Sequence, residues 1–454
     1  MSRSSISTFS TSGLAEMRAL VQLISNAVSQ MAADPAAQAI PSLYSTSKGP
    51  FDTPEDTPAN ITKAVKTIEA ACAQLCFTIT SPGHVFVNYG SNAAQVQEPT
   101  CLLVAAEAKI ADHLLDQPHG LHVDELARRS GIDSDKLVRI LRLLATKHCF
   151  IEVKANVFAN NRISLKLLST DPISSFLGHV TDEGMKAICM LNDTLRDPTK
   201  TSSALPNDSA FKNAHGHILF NYYTLRFNRA MIGWGSVTGK SILPKVYPWG
   251  ALPPGTTICD VGGGNGHATV NLLKAFPALK FVVQDLPEVI DQGKSFIQTE
   301  ITDSALRSRV EYASLDFFNE TPVKDCDIYF VRPSSHDWPT PACQQILESV
   351  RKAMKPSSRL LIQDYVLQIL AREGNSGRFA GQAPEPLLPN YGVGNVRAYA
   401  QDITMVAFLN SKERTLREFV DLGARRGFQF IKLWDQGEMG LLEFELAVTT
   451  DSME

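Results

Sequence analysis

The sequence predicts an α/β protein in which a doubly wound sheet follows a mainly helical N-terminal region. From residue 251 onward, short β-prone runs alternate with stretches of helical spacing, which is the pattern of βαβ units. Before residue 251, apolar residues recur mostly at three- and four-residue intervals, which is typical of helices. A glycine-rich loop opens the second half and indicates where a ligand binds.

The composition is that of an ordinary folded protein of 454 residues, long enough for two or three domains. Hydrophobic residues make up 44 % and charged residues 20 %, with a formal net charge of −4, so we expect no nucleic-acid or membrane partner. No run of 18 apolar residues occurs, and we expect no membrane span. The 8 cysteines are scattered without metal-site spacing, which predicts no metal and a reduced, cytoplasmic location.

Residues 1–95 are predicted to form two helices that serve dimerisation. Gly13–Met31 and Asn60–Phe77 carry apolar residues at helical spacing, and the polar, proline-containing segment Asp34–Pro58 is predicted to link them. The serine- and threonine-rich residues before the first helix are expected to be a disordered lead-in. Two such amphipathic helices cannot bury both apolar stripes alone, so they must dock on another domain or subunit.

Residues 96–165 have the pattern of a winged helix. Leu102–Leu114 is predicted to be one helix, Val123–Ile132 a second, and a third begins at Asp133. A hairpin over Phe150–Ala159 completes the pattern. Because the third helix offers few basic side chains in a protein of negative net charge, we predict a dimer interface and not DNA binding.

Residues 166–250 are predicted to be a helical, loop-rich connector. Phe211–Met231 is dense in aromatic residues, and two interpretations remain open: hydrophobic core, or the wall of a pocket for a flat substrate. Later in the chain, Arg372–Arg397 is rich in proline and glycine and is predicted to be a long loop, either a lid or disordered.

The segment Thr257–Glu288 carries the pattern on which the functional prediction depends. Ile258–Val261 reads as a buried strand, residues 262–266 include four glycines, and helical spacing follows. Glycine has no Cβ and adopts positive φ, so a ligand can lie directly on the backbone at Gly262 and Gly264. The strand, glycine turn and helix predict a nucleoside site at the carboxyl end of a parallel sheet.

Two acids flank this loop and narrow the ligand class. Asp285 ends the second strand, where a carboxylate can accept hydrogen bonds from both hydroxyls of a ribose. Asp260 lies just before the loop, and His267 stands where a dinucleotide site has its third glycine. A carboxylate repels phosphate, so the predicted ligand is a cationic nucleoside without phosphate.

A histidine follows the fourth strand, Asp327–Val331. His336, at the carboxyl end of a strand beside a nucleoside site, is a natural general base with an ordinary pKa of about 6.5. Its second ring nitrogen needs an orienting group, and the candidates are Asp364, which ends the fifth strand, and Glu413.

From about Leu102 to Ala447 the sequence resembles the plant-type and fungal O-methyltransferases, the family of caffeate, flavonoid and sterigmatocystin methyltransferases. The motifs that carry the resemblance are Asp260-Val-Gly-Gly-Gly264, Asp285-Leu286-Pro287, Asp316-Phe317, His336-Asp337-Trp338, Gln363-Asp364, Asp402-x-x-Met405 and Glu413-Arg414-Thr415. The family implies a Rossmann-like methyltransferase domain over residues 251–454, a winged-helix dimerisation domain, a homodimer, and methyl transfer from S-adenosylmethionine to a phenolic or enolic hydroxyl of a polyketide-like metabolite.

The resemblance also implies roles for individual residues. His336 resembles the catalytic base, with Asp364 and Glu413 beside it. The residues that resemble the cofactor-binding set are Asp260, Gly262, Gly264, Asp285, Leu286, Asp316, Phe317 and Arg332.

The sequence departs from the family pattern next to the base. Pro333-Ser334-Ser335 replaces an apolar pair and Thr340 replaces an acid, so a displaced His336 is one expectation. Fungal relatives of this fold bind S-adenosylmethionine and catalyse pericyclic reactions of polyketide-derived or pyridone substrates instead of methylation. We favour the methyltransferase because His336-Asp337-Trp338 is intact, with such a cyclase and an inactive dimerising regulator as the alternatives.

Overall fold

The computed structural model describes residues 12–90, 94–222, 225–238, 242–332, 334–372 and 381–448. The lead-in predicted at the N-terminus falls largely on residues 1–11, which lie outside the described residues. The chain divides into two compact units, one of residues 1–52, 56–165 and 368–396, the other of residues 53–55, 166–367 and 397–454. The four domain ranges drawn from the sequence, 1–95, 96–165, 166–250 and 251–454, stay predictions.

The first unit is mainly helical, with one small sheet. Its helices are α1 (Gly13–Ala32), α2 (Ala59–Ile79), α3 (Pro82–Gly90), α4 (Ala94–Glu107), α5 (Ile110–His113), α6 (Val123–Ser130) and α7 (Ser134–Thr146). Its strands are β1 (Leu121–His122), β2 (Ile151–Lys154) and β3 (Val157–Ala159), paired antiparallel in the order β1-β3-β2. The predicted helices at both ends of the linker and the predicted hairpin are present, and the linker itself contains a 3₁₀ turn at Pro35–Ala39.

The single helix predicted over Leu102–Leu114 is wrong. The backbone of Lys109 is left-handed, with φ of 51°, and this interrupts the helix between α4 and α5. A left-handed residue cannot continue a right-handed helix, so the apolar spacing continues through a break that it does not reveal. The two following helices match the prediction, because Gly131 ends α6 with φ of 74° and the Asp133 side chain caps α7.

The described part of the proline-rich segment is ordered and packs on α1 and α2, and a lid function stays a prediction. It forms one buried cluster with them, made by Leu20, Ala70, Ala71, Ala383, Leu387 and Tyr391. The Gln74 side-chain amide donates to the Pro386 carbonyl at 3.0 Å. At Gly394 a Cβ would lie 2.4 Å from the Lys66 carbonyl oxygen, so glycine is needed for this close approach. Residues 373–380 of the predicted loop lie outside the described residues.

The second unit contains the large sheet. Its helices are α8 (Pro172–Gly178), α9 (Met185–Cys189), α10 (Leu191–Arg196), α11 (Ala210–His215), α12 (Leu225–Val237), α13 (Leu243–Val246), α14 (His267–Ala275), α15 (Pro287–Glu300), α16 (Ser304–Arg307), α17 (Thr340–Ala353), α18 (Val396–Leu409) and α19 (Leu416–Ala424). Its strands are β4 (Thr257–Val261), β5 (Lys280–Asp285), β6 (Val310–Ser314), β7 (Ile328–Val331), β8 (Arg359–Asp364), β9 (Val366–Leu367), β10 (Arg414–Thr415), β11 (Phe428–Asp435) and β12 (Gly440–Leu446).

Seven of these strands form one sheet in the order β11-β12-β8-β7-β4-β5-β6. The five strands from β8 to β6 are parallel, and β12 and β11 add the predicted antiparallel hairpin. Helices α17 and α19 contribute to one buried apolar cluster of the sheet and α14 and α15 to another, so the doubly wound fold is confirmed. Within the described chain, no helix combines the length and apolar character needed to cross a membrane.

This strand order decides which residues meet. Parallel strands present their carboxyl ends at one edge, and ligands of doubly wound sheets bind at that edge. The segments that follow β4, β5, β7 and β8 therefore come together, although they are far apart in the chain.

Candidate active site

The glycine loop after β4 has a backbone that only glycine adopts without strain. Gly262, Gly264 and Gly266 have φ of 67°, 61° and 81°. At Gly263 the φ is ordinary but space is lacking, since a Cβ would lie 2.7 Å from Cγ of Asp260. The loop is therefore folded tightly over the Asp260 side chain.

Asp285 ends β5 and is held by the backbone on both oxygens. Gly264 N–H donates to Oδ2 and Leu286 N–H donates to Oδ1, both at 2.8 Å. Burial raises the pKa of Asp285, and these two hydrogen bonds oppose that rise. Each carboxylate oxygen keeps a lone pair, so Asp285 can still accept hydrogen bonds from two hydroxyls. Leu286 beside it is exposed and offers an apolar surface.

Asp260 and Arg332 face each other under the glycine loop. Arg332 Nε lies 3.5 Å from Asp260 Oδ1, and both side chains are almost fully buried. Thr269 donates its hydroxyl hydrogen to Asp260 Oδ2 at 2.9 Å, and His267 Nε2 lies 3.4 Å from the Arg332 guanidinium. Burial lowers the pKa of Arg332, and the Asp260 carboxylate opposes that shift. The structure thus gives these two predicted ligands a supporting position beneath the loop.

Asp316 and Phe317 follow β6 and close the other side of the loop. The Asp316 carboxylate accepts from the Asn319 side chain at 2.7 Å and from Phe318 N–H at 3.0 Å, and these bonds lower its pKa. The Phe317 ring lies 3.4 Å from the position of a Cβ at Gly262. Its ring also meets Trp338 edge to face at 6.2 Å, so Phe317 connects the glycine loop with the segment that carries the base.

The segment Ser335–Asp337, which we call the base turn, is one 3₁₀ turn after β7. Nδ1 of His336 lies 2.8 Å from Glu413 Oε1 and 3.5 Å from Asp364 Oδ1. Glu413 is therefore the hydrogen-bonded orienter and Asp364 a second carboxylate nearby. Because Nδ1 faces both acids, Nε2 is the nitrogen left for an acceptor, and Asp337 Oδ1 lies 3.5 Å from it.

These carboxylates shift the pKa of His336 away from the ordinary value that the sequence predicted. Burial by itself would lower the pKa of His336, but Glu413, Asp364 and Asp337 outweigh it and raise that pKa well above its ordinary value. Burial raises the pKa of Glu413 to about 7 and that of Asp337 to about 6, against the opposing effect of His336. The ordinary pKa assigned to His336 from the sequence is thus wrong.

The two flanking acids are fixed by separate contacts. Asp364 accepts a short hydrogen bond from the Ser335 hydroxyl and another from Tyr365 N–H at 3.0 Å. Glu413 is anchored through its backbone N–H, which donates to Asp402 Oδ1 at 2.9 Å. Parallel pairing of β9 with β10 holds the residues after Asp364 and Glu413 side by side.

The sequence departure next to His336 has a structural role. Ser335 replaces an apolar residue of the family pattern, and its hydroxyl donates a hydrogen bond to Asp364. His336 lies on the turn after β7 with Nδ1 beside Glu413, and Thr340 begins α17. The displacement that the departure suggests stays a prediction. Pro333 lies outside the described residues. Two residues to which the sequence gave no role take part in this arrangement: Asp337 lies beside His336 Nε2, and Arg414 binds the base turn.

The core interpretation of the aromatic segment holds for Phe211, and the pocket wall stays a prediction. Phe211 is fully buried in an apolar cluster, as a core residue is. Phe220 instead stacks on Trp338 at 5.0 Å, directly beside the base turn. Tyr365 stacks parallel to the His336 ring at 6.5 Å and continues to Trp234. Residues 223 and 224 of the aromatic segment lie outside the described residues.

His336, Asp364 and Glu413 also offer one ligand atom each within 4.8 Å of one another. Histidine and carboxylates are ligand types that transition metals bind. The 2.8 Å hydrogen bond already pairs Nδ1 with Glu413, so the arrangement is explained as an oriented base without an ion.

An acid-tipped glycine loop and a histidine paired with a carboxylate at neighbouring strand ends are typical of a Rossmann-like enzyme with a nucleoside cofactor. Comparisons with known proteins identify the class. The profile described as the O-methyltransferase domain matches residues 193–379, and the O-methyltransferase dimerisation domain matches residues 94–170. The chain is 48 % identical over 439 residues to 3-O-methyltransferase 2 of Phanerochaete chrysosporium, covering 95 % of this chain and 97 % of that protein.

The chain therefore belongs to the O-methyltransferase family and is an S-adenosylmethionine-dependent O-methyltransferase. Solved structures share its fold. OxaC in complex with SAH and oxaline has a TM-score of 0.69 at 20 % identity, covering 96 % of this chain and 100 % of that one. A structure described as a pericyclic reaction enzyme has a TM-score of 0.67 at 19 % identity, covering 95 % and 100 %. At these identities the likeness concerns the fold alone.

Proposed function

We propose that the protein methylates a phenolic or enolic hydroxyl of a polyketide-like secondary metabolite, with His336 as the general base. The observation that carries this proposal is the hydrogen bond from His336 Nδ1 to Glu413, which leaves Nε2 for the acceptor. The base turn lies at the same sheet edge as the glycine loop, so an acceptor hydroxyl can meet both the base and the cofactor site.

The cofactor site fits S-adenosylmethionine, which supplies a methyl group on a positively charged sulfur. Asp285 would hold the ribose hydroxyls, because each of its oxygens retains acceptor capacity. Gly262 and Gly264 would allow the cofactor to lie on the backbone. Phe317 lies against Gly262, and we assign Asp316 and Leu286 to the same site because they follow the neighbouring strands β6 and β5. The buried pair of Asp260 and Arg332 supports the loop from below.

In the proposed mechanism, His336 of the base turn accepts the proton of the acceptor hydroxyl and nearby carboxylates stabilise the imidazolium. The acceptor hydroxyl would give its proton to Nε2 of His336 as its oxygen bonds to the methyl carbon and the bond from that carbon to sulfur breaks. Nδ1–H would remain hydrogen-bonded to Glu413. The resulting imidazolium lies between the carboxylates of Glu413, Asp364 and Asp337, which stabilise its charge. Stacked aromatic rings beside the turn, Phe220 on Trp338 and Tyr365 on His336, suit a flat acceptor.

His336→Ala tests the mechanism. Because removal of a general base typically costs about 10²–10⁴-fold, we expect turnover to fall by that factor with unchanged affinity for S-adenosylmethionine. Release of S-adenosylhomocysteine with a panel of polyketide phenols measures turnover, and titration calorimetry measures binding. The exposed His119 serves as a matched control, and His119→Ala should behave as wild type.

Two outcomes would contradict this mechanism. Equal turnover of His336→Ala and wild type would show that the assigned base is wrong. Substrate rearrangement that needs bound S-adenosylmethionine but releases no S-adenosylhomocysteine would instead support the cyclase.

We also propose a homodimer built through the winged-helix region and α1. The support is the dimerisation-domain match at residues 94–170, together with exposed apolar side chains on α1 at seven-residue intervals, Leu14, Val21 and Val28. A cytoplasmic location agrees with the free thiols of the 8 cysteines.

A further inference from the structure

Arg414 is a buried cation that binds backbone carbonyls. Its side chain is 1 % exposed, and no carboxylate among the described residues lies within ion-pair distance of it. The guanidinium donates to the Ser335 carbonyl at 2.6 Å and to the Trp338 carbonyl at 2.8 Å, with a longer contact of 3.5 Å to the Lys412 carbonyl. Burying a charge without an ionic partner costs free energy, and the hydrogen bonds to these carbonyls are what offset that cost at Arg414.

The two carbonyls belong to the first residue of the base turn, Ser335, and to the residue that follows the turn, Trp338. His336 and Asp337 lie between them. Hydrogen bonds from a charged donor are about twice as strong as neutral ones, and the fork of the guanidinium fixes two acceptors at a set spacing. The Cys343 thiol of α17 approaches the same two carbonyls, at 3.1 Å and 3.3 Å. The turn is therefore held at both ends from two sides.

Arg414 directly follows Glu413, the orienter of His336. Residues 414 and 415 pair with Val366 and Leu367, which fixes this segment against the chain leaving β8. One short segment thus binds the imidazole through the Glu413 side chain and the backbone of the turn through the Arg414 side chain. Movement of the base turn away from Glu413 would require breaking the contacts of Arg414.

We propose that Arg414 is a positioning residue that fixes the base turn and thereby the distance between His336 and Glu413. The inference rests on the proposed function, because it concerns the base used for methyl transfer. The attraction between imidazolium and carboxylate falls as their distance grows. A looser turn weakens the interaction that raises the pKa of His336, and the base becomes weaker.

Arg414→Lys tests this inference because it keeps the positive charge and removes the two-pronged donor. We expect the acid limb of the pH profile of kcat/KM to move to lower pH by roughly half a unit to one unit, since His336 loses its proton more easily. The plateau kcat should fall on the order of tenfold because a weaker base accepts the proton less readily. Affinity for S-adenosylmethionine should not change. The His336 ring pKa, read from ¹⁵N NMR without an acceptor, should fall in parallel.

Arg359→Lys is the matched control, since Arg359 starts β8 and pairs with Glu445 at 2.8 Å, far along the strand from the base turn. This variant should keep the wild-type acid limb. An Arg414→Lys enzyme with the wild-type acid limb and the wild-type His336 pKa overturns the inference, even if it is slower. A variant that no longer folds or binds S-adenosylmethionine also overturns it, in favour of a purely structural role. Failure of the proposed function is distinct, because wild type itself would then form no methylated product.

Discussion

At the scale of single residues, the chemistry of this protein depends on how charges surround one imidazole. The His336 side chain is 12 % exposed and lies beside three carboxylates, whose combined attraction for the imidazolium exceeds the cost of its partial burial. The raised pKa makes His336 a stronger base than an exposed histidine, but it also keeps the ring protonated to higher pH. In the proposed mechanism, the base would therefore bind its proton more tightly and be neutral only at higher pH.

Glu413→Gln should reveal this balance. Glu413 is the largest of the charges that raise the pKa of His336, so the variant should lower that pKa. The neutral ring then persists to lower pH, and the acid limb of kcat/KM should move down. We expect kcat to fall about tenfold, less than in His336→Ala, because the weaker base is still present. Glu438→Gln, which alters a more distant ion pair with Arg397, should leave the limb in place. If the acid limb of the kcat/KM profile of Glu413→Gln stays in place or moves to higher pH, Glu413 is not the group that raises the pKa of His336.

Asp285→Ala should weaken binding of S-adenosylmethionine severely. Hydrogen bonds to a charged acceptor contribute about 1.5–3 kcal/mol each, so loss of two contacts to ribose hydroxyls predicts a decrease of 10²-fold or more, by order of magnitude. Titration calorimetry measures it, and Asp291→Ala, an exposed acid on α15, is the control. Tight binding of NAD by wild type, with none of S-adenosylmethionine, would refute the cofactor assignment.

At the scale of elements, the site is built by turns that follow parallel strands. The glycine loop follows β4, Asp285 ends β5, and the base turn follows β7. The Glu413-Arg414-Thr415 motif has three separate tasks: Glu413 orients the imidazole, Arg414 binds the turn, and Thr415 forms a capping box with Glu418 at the start of α19. Three consecutive residues thus hold three different parts of the structure: the imidazole of His336, the backbone of the base turn and the start of α19.

Gly263→Ala should damage the glycine loop through lack of space. The added Cβ would lie 2.7 Å from Cγ of Asp260 and 3.0 Å from a methyl group of Val283. Overpacking of this kind typically costs about 1–3 kcal/mol, and the loop that carries the cofactor would shift. Thermal unfolding and calorimetry should show lower stability and weaker binding. Gly13→Ala, where a Cβ meets no heavy atom within 4 Å, is the control. Wild-type stability and affinity in Gly263→Ala would contradict this account.

At the scale of the whole molecule, the two compact units are each built from separate segments of the chain. Residues 381–396 leave the sequence of the second unit and complete the core of α1 and α2 in the first. The two units are therefore interleaved along the chain, and neither is one continuous segment. The exposed apolar side chains of α1 remain available after this packing.

We expect light scattering at micromolar concentration to give a mass of about twice the 49.7 kDa chain. The exposed apolar side chains of the first unit are costly to leave in water, and a second copy would cover them. Val21→Glu on α1 should weaken the dimer, whereas Gln22→Glu, which adds the same charge beside it, should not. A clean monomer of the wild-type protein would contradict the prediction.

The sequence by itself determined the fold class of the protein, because the signals that predict it are patterns among neighbouring residues. Alternating strand and helix periods, the glycine loop and the acids at strand ends are properties of neighbouring residues, and they predicted the sheet, Asp285 and His336. The break at Lys109 and the packing of residues 381–396 escaped prediction because backbone handedness and distant contacts leave no periodic trace.

Only the tertiary structure decided which acid orients the base and how strong that base is. His336 and Glu413 lie 77 residues apart in the chain, and Arg414 lies 79 residues from Ser335. Their distances follow from the order of strands in the sheet and from the pairing of β9 with β10. Electrostatic effects on a pKa depend on separations of a few ångströms and on burial, and packing alone sets both.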